Sequence, residues 1–335
     1  MAEVLKVSNS RIKLWRRCRR AHHYKYNEKI ERIKPPIALL RGKILHEAIS
    51  ALIHGKSWEN VLDGYIEKYD KLFVEEKEIY GNLPEDLYIL MEGYVRRWGK
   101  EDLEYLELDG KKTEFEFSVE LLPGIMLTGY IDAVVRDRQK RIWIVEHKSH
   151  KKIPTDQVRL TDLQTTYYTW VLPRIGLPKP DGVLWDYIRT KAPAWPETLG
   201  NGTLTRRKNL DTDYHTYLEA IEELGQDPDD YQEVLDRLKG NTDKFYRRVY
   251  FPAPRTTQRQ LIRELKETSL EIKHLGGISK ARTITPLCGS CSYYSLCQAE
   301  LRGLDSDFIR KAEYQERRRD DNGREAEEIE DGGSE

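Results

Sequence analysis

The sequence predicts an α/β protein whose core runs helix, three-stranded antiparallel meander, helix, strand, with helical additions. Two observations carry that prediction. Apolar residues recur at helical spacing through the first third of the chain and switch to alternation from Thr113 onward. A second helix-spaced stretch then separates the alternating run from one more apolar, aromatic strand.

The elements follow in order. Ile12, Leu14 and Trp15 fall on one side of a segment from Ser10 to Tyr26, with arginines on the others, so a first helix is expected there. After Pro35-Pro36, Leu39, Leu40, Ile44, Leu45, Ala48, Ile49 and Leu52 mark a second helix, which places His46 on an element buried along one side. Further helices are expected around Trp58 to Lys77 and Pro84 to Tyr105. Phe115, Phe117 and Val119, then Leu127 to Val135, then Ile142 to Val145 alternate as three strands. A helix near Leu160 to Ile175 leads to a strand over Gly182 to Arg189. Past a Pro- and Gly-rich stretch, Lys191 to Leu210, charged helices are expected around Tyr214 to Lys239 and Thr257 to Leu275, and no internal repeat is visible.

A chain of 335 residues, 39% apolar and 34% charged, has enough apolar mass for a proper core and a heavily charged surface. No apolar run reaches the roughly 20 residues that span a bilayer, and the N-terminus has no secretory pattern, so a cytoplasmic location is expected (host cytoplasm if phage-encoded). The net charge of -1 gives no argument for nucleic-acid binding. It conceals an uneven distribution, with Arg11, Lys13, Arg16, Arg17, Arg19 and Arg20 in one segment and an acidic tail after Asp320. Taken alone the basic segment reads as a solvated helix face; it becomes a candidate track for DNA only where other features point to nucleic acid.

Two strands carry the chemistry. Gly129-Tyr130-Ile131-Asp132 ends in a carboxylate, and Val145-Glu146-His147-Lys148 puts a second carboxylate and an ammonium on one face, because side chains alternate along a strand. If the connection holds three loop residues, Arg138 to Lys140, Asp132 lies across from Glu146; a two-residue loop puts them on opposite faces. Charges inside apolar strands are costly unless paired or bound to metal, and such oxygen ligands suit hard divalent cations. The bland alternative is a surface ion pair of Glu146 and Lys148 on an edge strand.

Asp132 followed by Glu146-His147-Lys148 resembles the D…ExK signature of PD-(D/E)XK nucleases, with Ile131 where the shorthand has proline. Gly42-Lys43-Ile44-Leu45-His46 resembles the GxxxH element of the RecB-like branch, and Gln164-Thr165-Thr166-Tyr167-Tyr168 its QxxxY motif. Ser8-Asn9-Ser10 through Cys18 is similar to the branch's N-terminal SxS and cysteine element. The resemblance covers residues 8 to 190 and resumes at 288 to 297. It implies a restriction-endonuclease-like core and a metal-dependent DNA nuclease, in which His46, Asp132, Glu146 and the main-chain carbonyl of His147 hold Mg²⁺ or Mn²⁺. Lys148 then acts on the chemistry, and Gln164 and Tyr168 position the lysine and the nucleic-acid strand.

The resemblance further implies an exonuclease acting on DNA, single-stranded or duplex ends, in recombination, repair or phage DNA processing. No G-x-x-x-x-G-K-[ST] motif is present, so a separate helicase or recombination protein is the partner it implies. The rival readings are a non-catalytic iron-sulfur DNA-binding or scaffold subunit, a zinc-ribbon adaptor and a CRISPR-adaptation-type endonuclease.

The four cysteines form one pattern, Cys18 alone and then Cys288, Cys291 and Cys297 spaced C-x2-C-x5-C. Four thiolates hold zinc or an iron-sulfur cluster, and spacing does not separate the two. The resemblance implies a 4Fe-4S cluster that fastens the ends of the domain. The expected organisation is a nuclease core with N-terminal helices over 1–190, a mostly helical insert over 191–280, an iron-sulfur segment over 281–316 closing on Cys18, and an acidic disordered tail over 317–335.

Overall fold

The computed structural model describes residues 4–34, 36–252 and 254–317. All but the first residue of the expected acidic tail lies outside the described residues.

The strands are β1 (Leu5–Val7), β2 (Ile30–Arg32), β3 (Glu104–Tyr105), β4 (Thr113–Leu122), β5 (Ile125–Arg136), β6 (Ile142–His150), β7 (Gly182–Arg189), β8 (Tyr246–Pro252) and β9 (Tyr314–Glu316). Seven of them form one sheet along the path β1-β5-β6-β7-β8, with β3 and β4 also paired to β5. The meander β4-β5-β6 is antiparallel, and β7 joins β6 in parallel through a crossover that contains the Leu163–Val171 helix.

β5 organises the rest. One of its edges is taken by β4 and β3, whose partners run from Ile125 to Ala133 and then Val135 to Arg136. On the other edge β1 pairs at Ile125 to Leu127 and β6 at Ala133 to Arg136. The stretch between, 128–132, therefore has no strand on that side, and the sheet parts there.

Helices cover both faces. On one, Ile12 and Trp15 of the Asn9–Arg17 helix, Tyr167, Tyr168 and Val171 of the Leu163–Val171 helix and Ile262, Leu265 and Ile272 of the Arg255–Leu275 helix share a core with Phe117, Leu127, Ile144 and Trp185. On the other, the Ile37–Ile53, Trp58–Asp70 and Leu83–Trp98 helices pack around Ile44, Leu45, Leu62, Leu90 and Tyr94 against Ile188 and Tyr246. No helix among the described residues is long and apolar enough to cross a membrane.

Several elements depart from the sequence reading. The first helix is two, Asn9–Arg17 and Arg19–Tyr26, broken where Cys18 takes an extended conformation (φ −166°, ψ 115°). The helix expected over 58–77 stops at Asp70 and restarts as Val74–Tyr80; the next ends at Trp98 with Gly99 as its cap, and Tyr105 belongs to β3. The helix expected from Leu160 begins at Leu163, where the Asp162 side chain accepts the Thr165 N–H, and Pro173 tightens its end into a 3₁₀ turn. β1, β2, β8 and β9 were not expected. The 191–280 segment contributes more than helices: it has a small core of its own around Leu204, Tyr217, Tyr231 and Leu235, but also supplies β8, which covers β7 along its length.

Candidate active site

The parting of the sheet gathers the predicted side chains. Ala133 pairs with Val145, Val134 with Ile144 and Arg136 with Ile142, a register set by a loop of three residues in which Lys140 is left-handed (φ 63°). Continued by one residue, that register places Asp132 opposite Glu146, which resolves the loop-length question. There the ladder ends, and the Asp132 carboxylate accepts the His147 N–H at 2.8 Å in its place.

Glu146 is wholly buried, on a strand flanked by β5 and β7, so the edge-strand surface pair is displaced. Lys148 donates to its Oε1, while Oε2 has no hydrogen-bond partner among the described residues. Burial pushes the Glu146 carboxyl up, against the pull of Lys148; for Lys148 burial works downward but is outweighed by Glu146 and Asp132, so its ammonium is held more firmly.

His46 reaches the same point from the Ile37–Ile53 helix. Its Nε2 lies 3.1 Å from the His147 carbonyl, which can only accept, so Nε2 carries the proton and Nδ1 is the lone-pair nitrogen. Nδ1 faces Asp132 Oδ2 at 3.7 Å and Glu114 Oε1 at 4.0 Å. Burial lowers the His46 pKa, partly opposed by Asp132, which favours the neutral ligand form. The His147 carbonyl, expected as a metal ligand, here accepts from His46.

Glu114 escaped the sequence reading. Thr113 pairs with Ala133 and Phe115 with Ile131, so Glu114 stands opposite Asp132, with φ at 56° in the left-handed region. Ligand atoms of His46, Glu114 and Asp132 lie within 4.8 Å of one another.

Gln164 and Tyr168 sit beside this group without bonding Lys148. Asn9 Nδ2 donates to Gln164 Oε1 at 2.9 Å, Gln164 Nε2 to the Tyr168 hydroxyl at 2.9 Å, and that hydroxyl to the Tyr130 carbonyl. This chain of donors fills the unpaired edge of β5 two residues before Asp132. On the opposite face of the sheet Asp186 is wholly buried and its Oδ2 accepts from His147 Nδ1 (3.0 Å), Arg248 Nη2 (3.2 Å) and the Tyr94 hydroxyl. The sequence signal was present: Asp186 interrupts an otherwise apolar strand.

None of the four cysteines is in a disulfide, and all four line one cavity of about 310 Å³ between the Arg19–Tyr26 helix and the segment from Arg282 to Leu301. Burial pushes the Cys291 thiol up. The neighbouring arginines are committed to the fold: Arg16 donates to Thr268 Oγ1, Arg17 to the Leu287 carbonyl, Arg19 to Glu271 and Arg20 to Glu300. They fasten the N-terminal helices to distant segments, a role neither sequence reading of the basic stretch included.

An α/β sheet that parts around carboxylates, a histidine and a lysine is the arrangement of a metal-dependent nuclease. The sequence matches the family model described as the PD-(D/E)XK nuclease superfamily over residues 6–298, and the chain belongs to that superfamily of phosphodiester hydrolases. No curated protein matches the sequence. Among solved structures, the crystal structure of SSO0001 is similar at 11% identity over 89% of this chain and 88% of that one, with a TM-score of 0.34.

Proposed function

We propose that the protein is a DNA exonuclease of the RecB-like branch, working with Mg²⁺ or Mn²⁺ and carrying a 4Fe-4S cluster on Cys18, Cys288, Cys291 and Cys297. The observation that carries the metal site is the convergence of His46, Glu114 and Asp132 near the buried Glu146 carboxylate, whose Oε2 has no hydrogen-bond partner among the described residues. A buried, unpartnered carboxylate oxygen is costly, and a hard cation satisfies it. His46, Asp132 and Glu146 would hold the cation, with Glu114 at hand, while the His147 carbonyl stays with the His46 Nε2–H instead of serving as the ligand expected from the resemblance. When bound, the cation would activate a water molecule and draw charge from the scissile phosphate.

The side chains do the rest. His46 offers Nδ1 because its Nε2–H is engaged by the His147 carbonyl. Asp132 is oriented by the His147 N–H. Lys148 holds the attacking water and offsets charge on the phosphoryl group in the transition state. Gln164 and Tyr168 fix the Tyr130 carbonyl, and with it the strand that presents Asp132.

The cluster reading rests on the space the thiols surround. A cavity of about 310 Å³ lined by all four cysteines has room for a four-iron core, and the family resemblance favours that group over zinc. In this reading the chain divides as core (1–190), insert (191–280), cluster segment (281–316) and tail, and it acts on single strands or duplex ends in recombination, repair or phage DNA processing, alongside a separate helicase or recombination protein. Anaerobically purified protein incubated with end-labelled single- and double-stranded DNA tests the proposal: mononucleotide or short products that need Mg²⁺ or Mn²⁺ support it, and intact DNA under every cation overturns it.

A further inference from the structure

Resting on the cluster reading, we propose that Arg282 is part of the cluster site, a positioning and charge-balancing residue that donates to the Cys297 sulfur and both retains the cluster and eases its reduction. Arg282 Nε lies 3.3 Å from Cys297 Sγ. Its other end is held: Nη2 donates at 2.9 Å to Glu300 Oε2, and Glu300 is itself fixed by Tyr24, Arg20 and Arg310. The guanidinium is therefore aimed at the sulfur by a carboxylate that three other groups hold in place.

The chemistry favours this use. Four thiolates leave a cubane cluster net negative, and hydrogen bonds to the sulfurs together with nearby cations set how strongly it is held and how readily it takes up an electron. Arg17 and Arg20 line the same cavity as Arg282, but Arg20 is turned to Glu300 and Arg17 to the Leu287 carbonyl. Arg282 is the guanidinium bonded to a cysteine sulfur, through a charge-assisted N–H.

Arg282→Gln and Arg282→Lys, purified anaerobically with the full chain, test it. The readouts are iron and sulfide content, the rate of visible bleaching by an iron chelator, and the midpoint of one-electron reduction by dithionite. Loss of a charge-assisted hydrogen bond predicts bleaching about tenfold faster in the Gln variant and a midpoint shifted to lower potential. Arg282→Lys, which keeps the charge, should lie between and serves alone if Arg282→Gln does not fold. A purely structural arginine leaves the midpoint of any loaded variant where it was. Wild-type protein that holds iron and sulfide while both variants match it in bleaching and midpoint overturns this inference alone. Wild-type protein without iron and sulfide removes the cluster reading and this inference with it.

Discussion

Replacing Glu114 should separate the cost of its backbone from the benefit of its carboxylate. At φ 56° the residue sits where L side chains are strained by roughly 1–2 kcal/mol. Glycine relieves that, but gains about 0.4–1 kcal/mol of unfolded-state freedom. Glu114→Gly without metal should therefore match the wild type or exceed it by up to about 1.6 kcal/mol in urea unfolding. With metal the balance should shift toward the wild type. A ligand at one hundred times its dissociation constant stabilises by about 2.7 kcal/mol, and a tenfold weaker site at the same concentration by about 1.4 kcal/mol. Under Mn²⁺ the Gly variant should thus lose roughly 1.3 kcal/mol relative to its metal-free advantage, and Glu114→Gln, which keeps the strained backbone, should lose the metal-dependent part alone. A Gly variant that is less stable without metal and gains as much from Mn²⁺ as the wild type would refute both halves of the argument.

Other perturbations follow from the same geometry. Lys148→Ala should lower kcat by about 10²–10³ with little change in DNA affinity, and equal losses in both would mark it as a phosphate anchor instead. Asp186→Ala leaves the buried donors of His147, Tyr94 and Arg248 without their acceptor and should cost about 3 kcal/mol in urea unfolding; a loss under about 1 kcal/mol would show that the network contributes little. The Arg189 guanidinium, joined by Lys191 and opposed by burial, holds the Asp211 carboxyl at about 2. Its contribution is then complete above the ordinary carboxyl range near about 4 and drains as pH falls toward 2. Wild type and Asp211→Asn should converge in stability across that window, and a constant gap down to pH 2 would contradict the pairing.

What the sequence revealed follows from what periodicity encodes. Alternation located β4 to β6, a continuous apolar and aromatic run located β7, and the face shared by Glu146 and Lys148 is a direct consequence of the two-residue period. The opposition of Asp132 and Glu146 depended on loop length, which the sequence left open. Glu114 was hidden because it alternates with Phe115 and Phe117 like any solvent-facing polar residue, and neither register nor a positive φ is written in that pattern. The break at Cys18 was hidden for a similar reason. Its neighbours are good helix formers, and the extended conformation is a tertiary demand that local propensity does not report. The arginines around it looked like a surface feature because their partners, Glu264 to Glu300, lie more than 240 positions away in the chain.

In the proposed mechanism Asp132 and Glu146 hold the metal that cuts DNA. This is tested most directly by comparing wild type, Asp132→Asn and Glu146→Gln on end-labelled DNA across a Mn²⁺ titration, with urea midpoints recorded for each. Both variants should remain folded and lose cleavage at every Mn²⁺ concentration. Cleavage at the wild-type rate by either folded variant would contradict the mechanism.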